Sequence, residues 1–207
     1  MQDKNLRIGI LGGTFDPVHY GHLIIAETIR EKFNLDKVLF VPSGHPPHKA
    51  GLNVTEARHR FNMVRAAILS NPCFEISDIE MKKAGYGYTV DTMTQLREKY
   101  RSGTDLYFIL GADVVRDLLK WKDCEKLFSL CEFIIALRPG YMIDKLREEI
   151  ECLKQGHGAR INITDTPVIG ISSTEIREKA ANGGSIKYLV PEAVEQYIWE
   201  NNLYNAP

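Results

Sequence analysis

The sequence lacks three features that would each indicate a particular class of protein. Its net charge is −1, and this balance gives no reason to expect nucleic acid or a membrane surface as a partner. The apolar run near the N-terminus stops at Gly12, which is too short for an export signal or a membrane span. The four cysteines form no Cys-x-x-Cys pair; their number could permit disulfides, but because no signal peptide is recognised we expect reduced thiols in a cytoplasm.

Two common nucleotide-binding motifs are also missing. A dinucleotide-binding oxidoreductase would carry Gly-x-Gly-x-x-Gly after its first strand and an acidic residue near the end of its second strand. Here the first turn reads GGTFDP over residues 12–17, and the second predicted strand runs into VPSG at residues 41–44. No Gly-x-x-x-x-Gly-Lys-Ser/Thr loop occurs either, which disfavours kinases and GTPases of that type.

What is present is an alternation of strand-like and helix-like segments. The predicted strands cover the residues before Gly12 and the segments 37–42, 74–79, 105–110, 132–137 and 160–164. The predicted helices cover about 20–34, 55–70 with Thr55 as N-cap, 89–100, 114–120, 123–130, 143–154, 172–181 and 191–201. This alternation is typical of βαβ units. We therefore predict an α/β fold: a Rossmann-like, doubly wound, mostly parallel sheet with helices on both faces, in a single domain over residues 1–207.

The residues from Ile8 to His22 predict a strand, a glycine turn and a helix entrance. Gly12 and Gly13 allow a ligand to approach bare backbone, and the start of the helix attracts anions. His19 and His22 are three positions apart, so both imidazoles can donate to the same phosphate. A zinc site is the weaker interpretation of this pair, because no cysteine pair or His-Glu-x-x-His pattern accompanies it.

A second anion-binding segment lies near the other end of the chain, where residues 171–177 read ISSTEIR. Ser172 with Glu175 predicts a capping box and hence the start of a helix. Three adjacent hydroxyl groups, a helix N-terminus and Arg177 one turn later are also suited to a polyphosphate. Simple helix capping is the alternative interpretation of the same residues.

Both segments resemble the motifs of the nucleotidylyltransferase superfamily, namely GGTFDPxHxGH and SSTxIR. Further segments resemble the bacterial nicotinate mononucleotide adenylyltransferases over nearly the whole chain. They are PPHK at 46–49, YTVDT at 88–92, GAD at 111–113, KW at 120–121 and RPG at 138–140. One departure is Val18, where many relatives have a second proline.

The resemblance implies a reaction in which AMP passes from ATP to nicotinate mononucleotide, giving deamido-NAD and pyrophosphate. It also implies that Mg²⁺ accompanies ATP, bound by few protein ligands, and that the C-terminal helices, about residues 172–203, complete the ATP site. Two alternatives stay open: an adenylyltransferase acting on nicotinamide mononucleotide or phosphopantetheine, and a non-catalytic nucleotide-binding module. Formation of a homo-oligomer is also left open.

Roles for individual residues follow from the same resemblance. The implied catalytic residues are His19, His22, Lys49 and Arg177. The implied ATP-binding residues are Gly12, Gly13, Thr14, Phe15, Gly111, Asp113, Ser172, Ser173 and Thr174, with Gly111 and Asp113 at the adenosine ribose. The implied residues for nicotinate mononucleotide are Thr89, Trp121 and Arg138. The indole face of Trp121 is suited to stacking on a pyridine ring, although a partly buried surface tryptophan is the alternative.

Overall fold

Six parallel strands form one sheet at the centre of the computed structural model, which describes residues 5–45, 54–82, 85, 87–100, 103–137, 143–167 and 169–205. The strands are β1 (Leu6–Gly13), β2 (Lys37–Pro42), β3 (Phe74–Ile76), β4 (Thr104–Gly111), β5 (Glu132–Leu137) and β6 (Ile161–Asp165). Their order across the sheet is β3-β2-β1-β4-β5-β6, and every neighbouring pair is parallel. This confirms the predicted Rossmann-like sheet.

The helices also lie close to their predicted positions. They are α1 (Tyr20–Lys32), α2 (Ala57–Ile68), α3 (Thr89–Lys99), a 3₁₀ helix (Ala112–Lys120), α4 (Cys124–Leu130), α5 (Ile143–His157), α6 (Ser173–Ala181) and α7 (Glu192–Glu200). The prediction of Thr55 as an N-cap is wrong, because α2 begins after Glu56 and has no side-chain cap. The main-chain N–H of Thr55 donates instead to Oδ2 of Asp16, at 3.1 Å.

The strands bury side chains on both faces, which explains their near-continuous apolar sequences. In β4, Phe108 belongs to one apolar core, whereas Tyr107 and Ile109 belong to the other. The first core also contains buried residues of α3, the 3₁₀ helix, α4 and α5, and the second contains buried residues of α1, α2, α6 and α7. Helices therefore cover both faces, as predicted, and among the described residues none is long and apolar enough to cross a membrane.

The strand order reverses next to β1, and this reversal positions the site. β1 lies between β2 and β4. From β1 the chain adds β2 and β3 on one side, and it then crosses to the other side of β1 to add β4, β5 and β6. Sheets of this kind bind ligands in the crevice beyond the carboxyl ends of the strands at such a point. Gly12 and Gly13 close β1 and Gly111 closes β4, so the predicted site residues lie at this crevice.

Candidate active site

The two histidines of the first motif form a stacked pair at the entrance of α1. His19 is the N-cap residue and His22 is the third residue of the helix, and their ring centroids are 3.8 Å apart. The main-chain N–H of His19 donates to Nδ1 of His22 at 3.2 Å. Because Nδ1 of His22 accepts, the proton of its neutral imidazole lies on Nε2. The bond therefore makes Nε2 of His22 a hydrogen-bond donor.

Two neighbours fix the positions of these rings. Phe15 is 2% exposed, has a φ of 51°, and packs edge-on against His22 with ring centroids 5.0 Å apart. At Gly21, a Cβ atom would lie 2.9 Å from both Cε1 and Nδ1 of His19, so only glycine leaves that ring where it is. Gly13 is similarly restricted, since a Cβ there would lie 3.0 Å from the ring of Phe15.

The second motif lies directly against the first. Ser173 Oγ donates to the main-chain oxygen of Pro17 at 2.9 Å, and Nη1 of Arg177 donates to the main-chain oxygen of Asp16 at 2.8 Å. The predicted cap at Ser172 is present, because its Oγ accepts from the main-chain N–H of Glu175 at 3.1 Å. The two anion-binding segments, from opposite ends of the chain, thus share one corner of the molecule.

A cavity of about 250 Å³ lies between the entrances of α1 and α6. Its apolar wall comprises Ile25, Pro167, Ile169 and Ile171, and its polar wall comprises Gly21, the histidine pair, Ser172 and Ser173. The combination provides apolar surface beside the positive ends of two helices. This cavity, called the second cavity from here on, is suited to an aromatic group that carries phosphate.

A larger cavity, of about 530 Å³, lies beyond the ends of β1 and β4. It is called the first cavity from here on. The predicted site residues that line it are Gly12, Gly13, Thr14, Thr89, Asp113 and Trp121. The indole of Trp121 packs edge-on against Phe108, with centroids 6.2 Å apart and an interplanar angle of 83°. A side chain at Gly111 would collide with the carboxylate of Asp113, which explains the glycine at the end of β4.

Several residues that line the first cavity were not predicted from the sequence. Glu80 and Asp117 line it together with Asp113, so the charged side chains among its described lining residues are all acidic. Oε1 of Glu80 accepts from Oγ1 of Thr92 at 2.9 Å. Thr92 could have been found, because it belongs to the YTVDT segment, whereas no local pattern distinguishes Glu80.

The remaining predicted residues divide into two groups. Phe15, Gly111, Thr174 and Arg177 line neither of these two cavities: Arg177 bonds to Asp16 and, at 3.3 Å, to Oγ1 of Thr174. Lys49 and Arg138 lie outside the described residues, so their implied roles stay predictions.

The described residues contain no cluster of three or more His, Cys, Asp or Glu side chains that could hold a metal ion. The groups around the histidine pair are instead imidazoles, hydroxyls and the start of two helices. Such groups bind anions.

A parallel sheet with two anion-binding helix entrances at its carboxyl edge defines a nucleotide-binding protein of the Rossmann-like class. Residues 10–179 match the family model described as cytidylyltransferase-like. The chain is 48% identical over 202 residues to a "Probable nicotinate-nucleotide adenylyltransferase" of Thermoanaerobacter sp. (strain X514), covering 98% of this chain and 96% of that one. A protein of the same description from Moorella thermoacetica is 48% identical over 198 residues, covering 96% and 91%.

A solved structure extends this similarity to three dimensions. Plasmodium falciparum nicotinic acid mononucleotide adenylyltransferase complexed with NaAD superposes with a TM-score of 0.77 at 25% identity, covering 96% of this chain and 97% of that one. The chain belongs to the cytidylyltransferase-like family and, within it, to the nicotinate-nucleotide adenylyltransferases. The family resemblance predicted from the motifs is confirmed.

Proposed function

We propose that this protein transfers AMP from ATP to nicotinate mononucleotide, releasing pyrophosphate and forming deamido-NAD in NAD biosynthesis. The observation that carries the proposal is that residues of the first motif line both cavities. Gly12, Gly13 and Thr14 line the first cavity, while His19 and His22 line the second. The histidine pair thus lies beside the place where two nucleotides in these cavities would join.

The second cavity is the proposed ATP side. Its isoleucines provide an apolar surface for the adenine base, and the N-terminus of α6 provides Ser172 and Ser173 for the phosphates. Thr174 and Arg177, which are hydrogen-bonded to each other in the same first turns of α6, add to the positive charge at that end of the helix. The C-terminal segment of about residues 172–203 would in this way complete the ATP site of a single domain.

The first cavity is the proposed acceptor side. The pyridine ring of nicotinate mononucleotide carries a positive charge on its quaternary nitrogen, which suits both the indole face of Trp121 and an acidic lining. Thr89 is the first residue of α3, and the positive end of that helix favours the ring carboxylate of the acid over the neutral amide. Asp113 also lines this cavity, so we propose that the ribose of ATP extends from the second cavity to the first, where the Asp113 carboxylate can accept from one of its hydroxyls.

The chemistry needs little from the protein beyond position and charge. The attacking phosphate oxygen of the acceptor is ionised at neutral pH, so no general base is required. Nε2 of His22 donates to the α-phosphate and stabilises the charge that grows there in the transition state. The ring of His19, at the N-cap position, stacks on the ring of His22 and helps to hold it in place. The start of α6 holds the departing pyrophosphate. Lys49 and Arg138 are proposed as further phosphate-binding cations.

Nucleotidyltransferases of this kind generally use a divalent metal ion, and we propose that the ion here is Mg²⁺. The anion-binding corner fits an ion that arrives with ATP, held mainly by phosphate oxygens and water. Its contribution when bound would be to neutralise phosphate charge. All four cysteines are free thiols in the structure, which supports the proposal that the protein works in the reducing cytoplasm.

Pyrophosphate release measured with a panel of acceptors tests the function. We expect kcat/KM with nicotinate mononucleotide to exceed that with nicotinamide mononucleotide by at least about tenfold, as expected where a charged group loses its partner. Higher activity with nicotinamide mononucleotide or phosphopantetheine would reassign the acceptor. ATP binding without pyrophosphate from any acceptor would identify a non-catalytic nucleotide-binding module.

A further inference from the structure

Residues 14–17, which lead into the histidine pair, are held from two sides. On one side, Arg177 and Ser173 of α6 donate to the main-chain oxygens of Asp16 and Pro17. On the other side, the contacts come from α2 and from the residues after α7. The second set uses side chains that line neither cavity, so its role is separate from substrate contact.

The contact from α2 is a buried arginine. Arg60 is 1% exposed, and its Nη1 donates to the main-chain oxygen of Thr14 at 2.7 Å. Its Nε donates to the oxygen of Thr55 at 2.8 Å, and its Nη2 donates to the oxygen of Gly44 at 3.1 Å. Burial lowers the pKa of Arg60, while the nearby Asp16 carboxylate acts against that shift. A buried guanidinium whose three nitrogens all reach main-chain oxygens fixes the relative position of three chain segments.

The contact from the C-terminal residues is a tyrosine. The hydroxyl of Tyr204 donates to Oδ1 of Asp16 at 2.8 Å, and the N–H of Thr55 donates to Oδ2. The carboxylate of Asp16 is thus occupied on both oxygens, and the residue is 2% exposed. Burial and the adjacent carboxylate raise the pKa of Tyr204 above its ordinary range, so its hydroxyl remains a donor at neutral pH.

We propose that Tyr204, together with Arg60, is a positioning residue for the transfer of AMP: the two side chains fix residues 14–17 and thereby the direction in which His22 donates. This inference rests on the proposed function. Its physical basis is that transition-state stabilisation requires donors held in place before the reaction. A displacement of about 1 Å from a distant change can lower a rate by about 100-fold.

The test compares Tyr204→Phe with Tyr197→Phe. Both changes remove one hydroxyl from a C-terminal tyrosine, but the Tyr197 hydroxyl bonds to side chains of α2, namely Nδ2 of Asn62 and Nδ1 of His59, both at 3.0 Å. We expect Tyr204→Phe to lower kcat and the single-turnover rate by about 10- to 100-fold, with both KM values within about threefold of wild type. Tyr197→Phe is expected to retain wild-type kcat, and thermal unfolding of both variants shows that they are folded.

Several outcomes decide the matter. Wild-type kcat in Tyr204→Phe, or a raised KM at unchanged kcat, would overturn the inference. If Tyr204→Phe does not stay folded, Arg60→Lys tests the same contacts, because lysine keeps the charge and loses the three-way fork. Arg60→Lys is expected to show the same loss of kcat at unchanged KM, and wild-type kcat in that variant would overturn the inference. Failure of the wild-type protein to form deamido-NAD would instead refute the proposed function.

Discussion

The main-chain N–H of His19 donates to Nδ1 of His22, and this single bond determines which nitrogen of the neutral His22 ring can donate, namely Nε2. The same two rings stack at 3.8 Å, and Phe15 packs edge-on against the second of them. A helix N-cap normally uses a small polar side chain. Here a histidine takes that position, so the start of the helix also carries the imidazoles that we propose stabilise the transition state.

Removal of the His22 imidazole tests its role in stabilising the α-phosphate. His22→Ala is expected to lower kcat by about 100-fold or more, as for the loss of one preorganised donor. His59→Ala is the matched control, because His59 lies in α2 and contacts Tyr197 rather than a cavity. Steady-state kinetics together with circular dichroism check the prediction, and normal turnover in folded His22→Ala would exclude His22 from the mechanism.

Gly21→Ala separates stability from activity. The new Cβ would lie 2.9 Å from the imidazole of His19, so the ring has to move, whereas alanine favours the helix by up to about 1 kcal/mol. We expect an unfolding temperature equal to or above that of wild type and kcat at least about tenfold lower.

Gly156→Ala in α5 provides the control for this change, because a Cβ at Gly156 meets no atom within 4 Å. It is expected to gain stability at full activity. Equal activity in the two glycine variants would show that the position of the His19 ring is unimportant.

Fluorescence can locate the pyridine ring, since the chain has two tryptophans. In Trp199→Phe, Trp121 is the remaining fluorophore, and nicotinate mononucleotide should quench it on binding. In Trp121→Phe the same titration should leave the signal of Trp199 unchanged. We also expect Trp121→Ala to raise KM for the mononucleotide about three- to tenfold, corresponding to ~0.5–1.5 kcal/mol of ring contact. An unchanged KM would place the pyridine elsewhere.

The raised pKa of Tyr204 predicts a loss of stability at alkaline pH. In the unfolded chain this hydroxyl loses its proton near pH 10, while the folded protein retains it. Above about pH 10 the unfolded state therefore binds fewer protons, and the free energy of unfolding falls by up to about 1.4 kcal/mol per pH unit. The contribution is fully present below that pH.

Urea unfolding between about pH 8 and pH 11 measures this effect. Above about pH 10, the free energy of unfolding should fall less steeply with pH in Tyr204→Phe than in wild type, by the equivalent of about one proton. Parallel slopes would show that Tyr204 is not held as a protonated donor to Asp16.

The fold could be predicted from the sequence because its signals are local. Strands buried on both faces leave apolar runs such as KVLFVP in β2, and each run is followed by a turn and a helical pattern. The glycines and histidines of the first motif could be predicted for the same reason, since their chemistry and spacing lie within about ten residues.

The residues that position the site could not be predicted in this way. Tyr204 contacts Asp16 across 188 positions, and Arg60 bonds to main-chain oxygens, which carry no sequence signature. Thr55 was predicted to be a helix N-cap from its residue type, but its main-chain N–H donates to the carboxylate of Asp16, a contact between distant parts of the sequence. Glu80 enters the first cavity from a segment with no recognisable motif.

The most direct test of this account is a crystal structure with nicotinate mononucleotide and a non-hydrolysable ATP analogue bound together. We predict that the α-phosphate lies within hydrogen-bonding distance of Nε2 of His22, with the other phosphates at the start of α6 beside Ser172 and Ser173. The pyridine ring should lie against Trp121. A triphosphate bound away from either helix entrance would contradict the central claim that both motifs bind one ATP molecule.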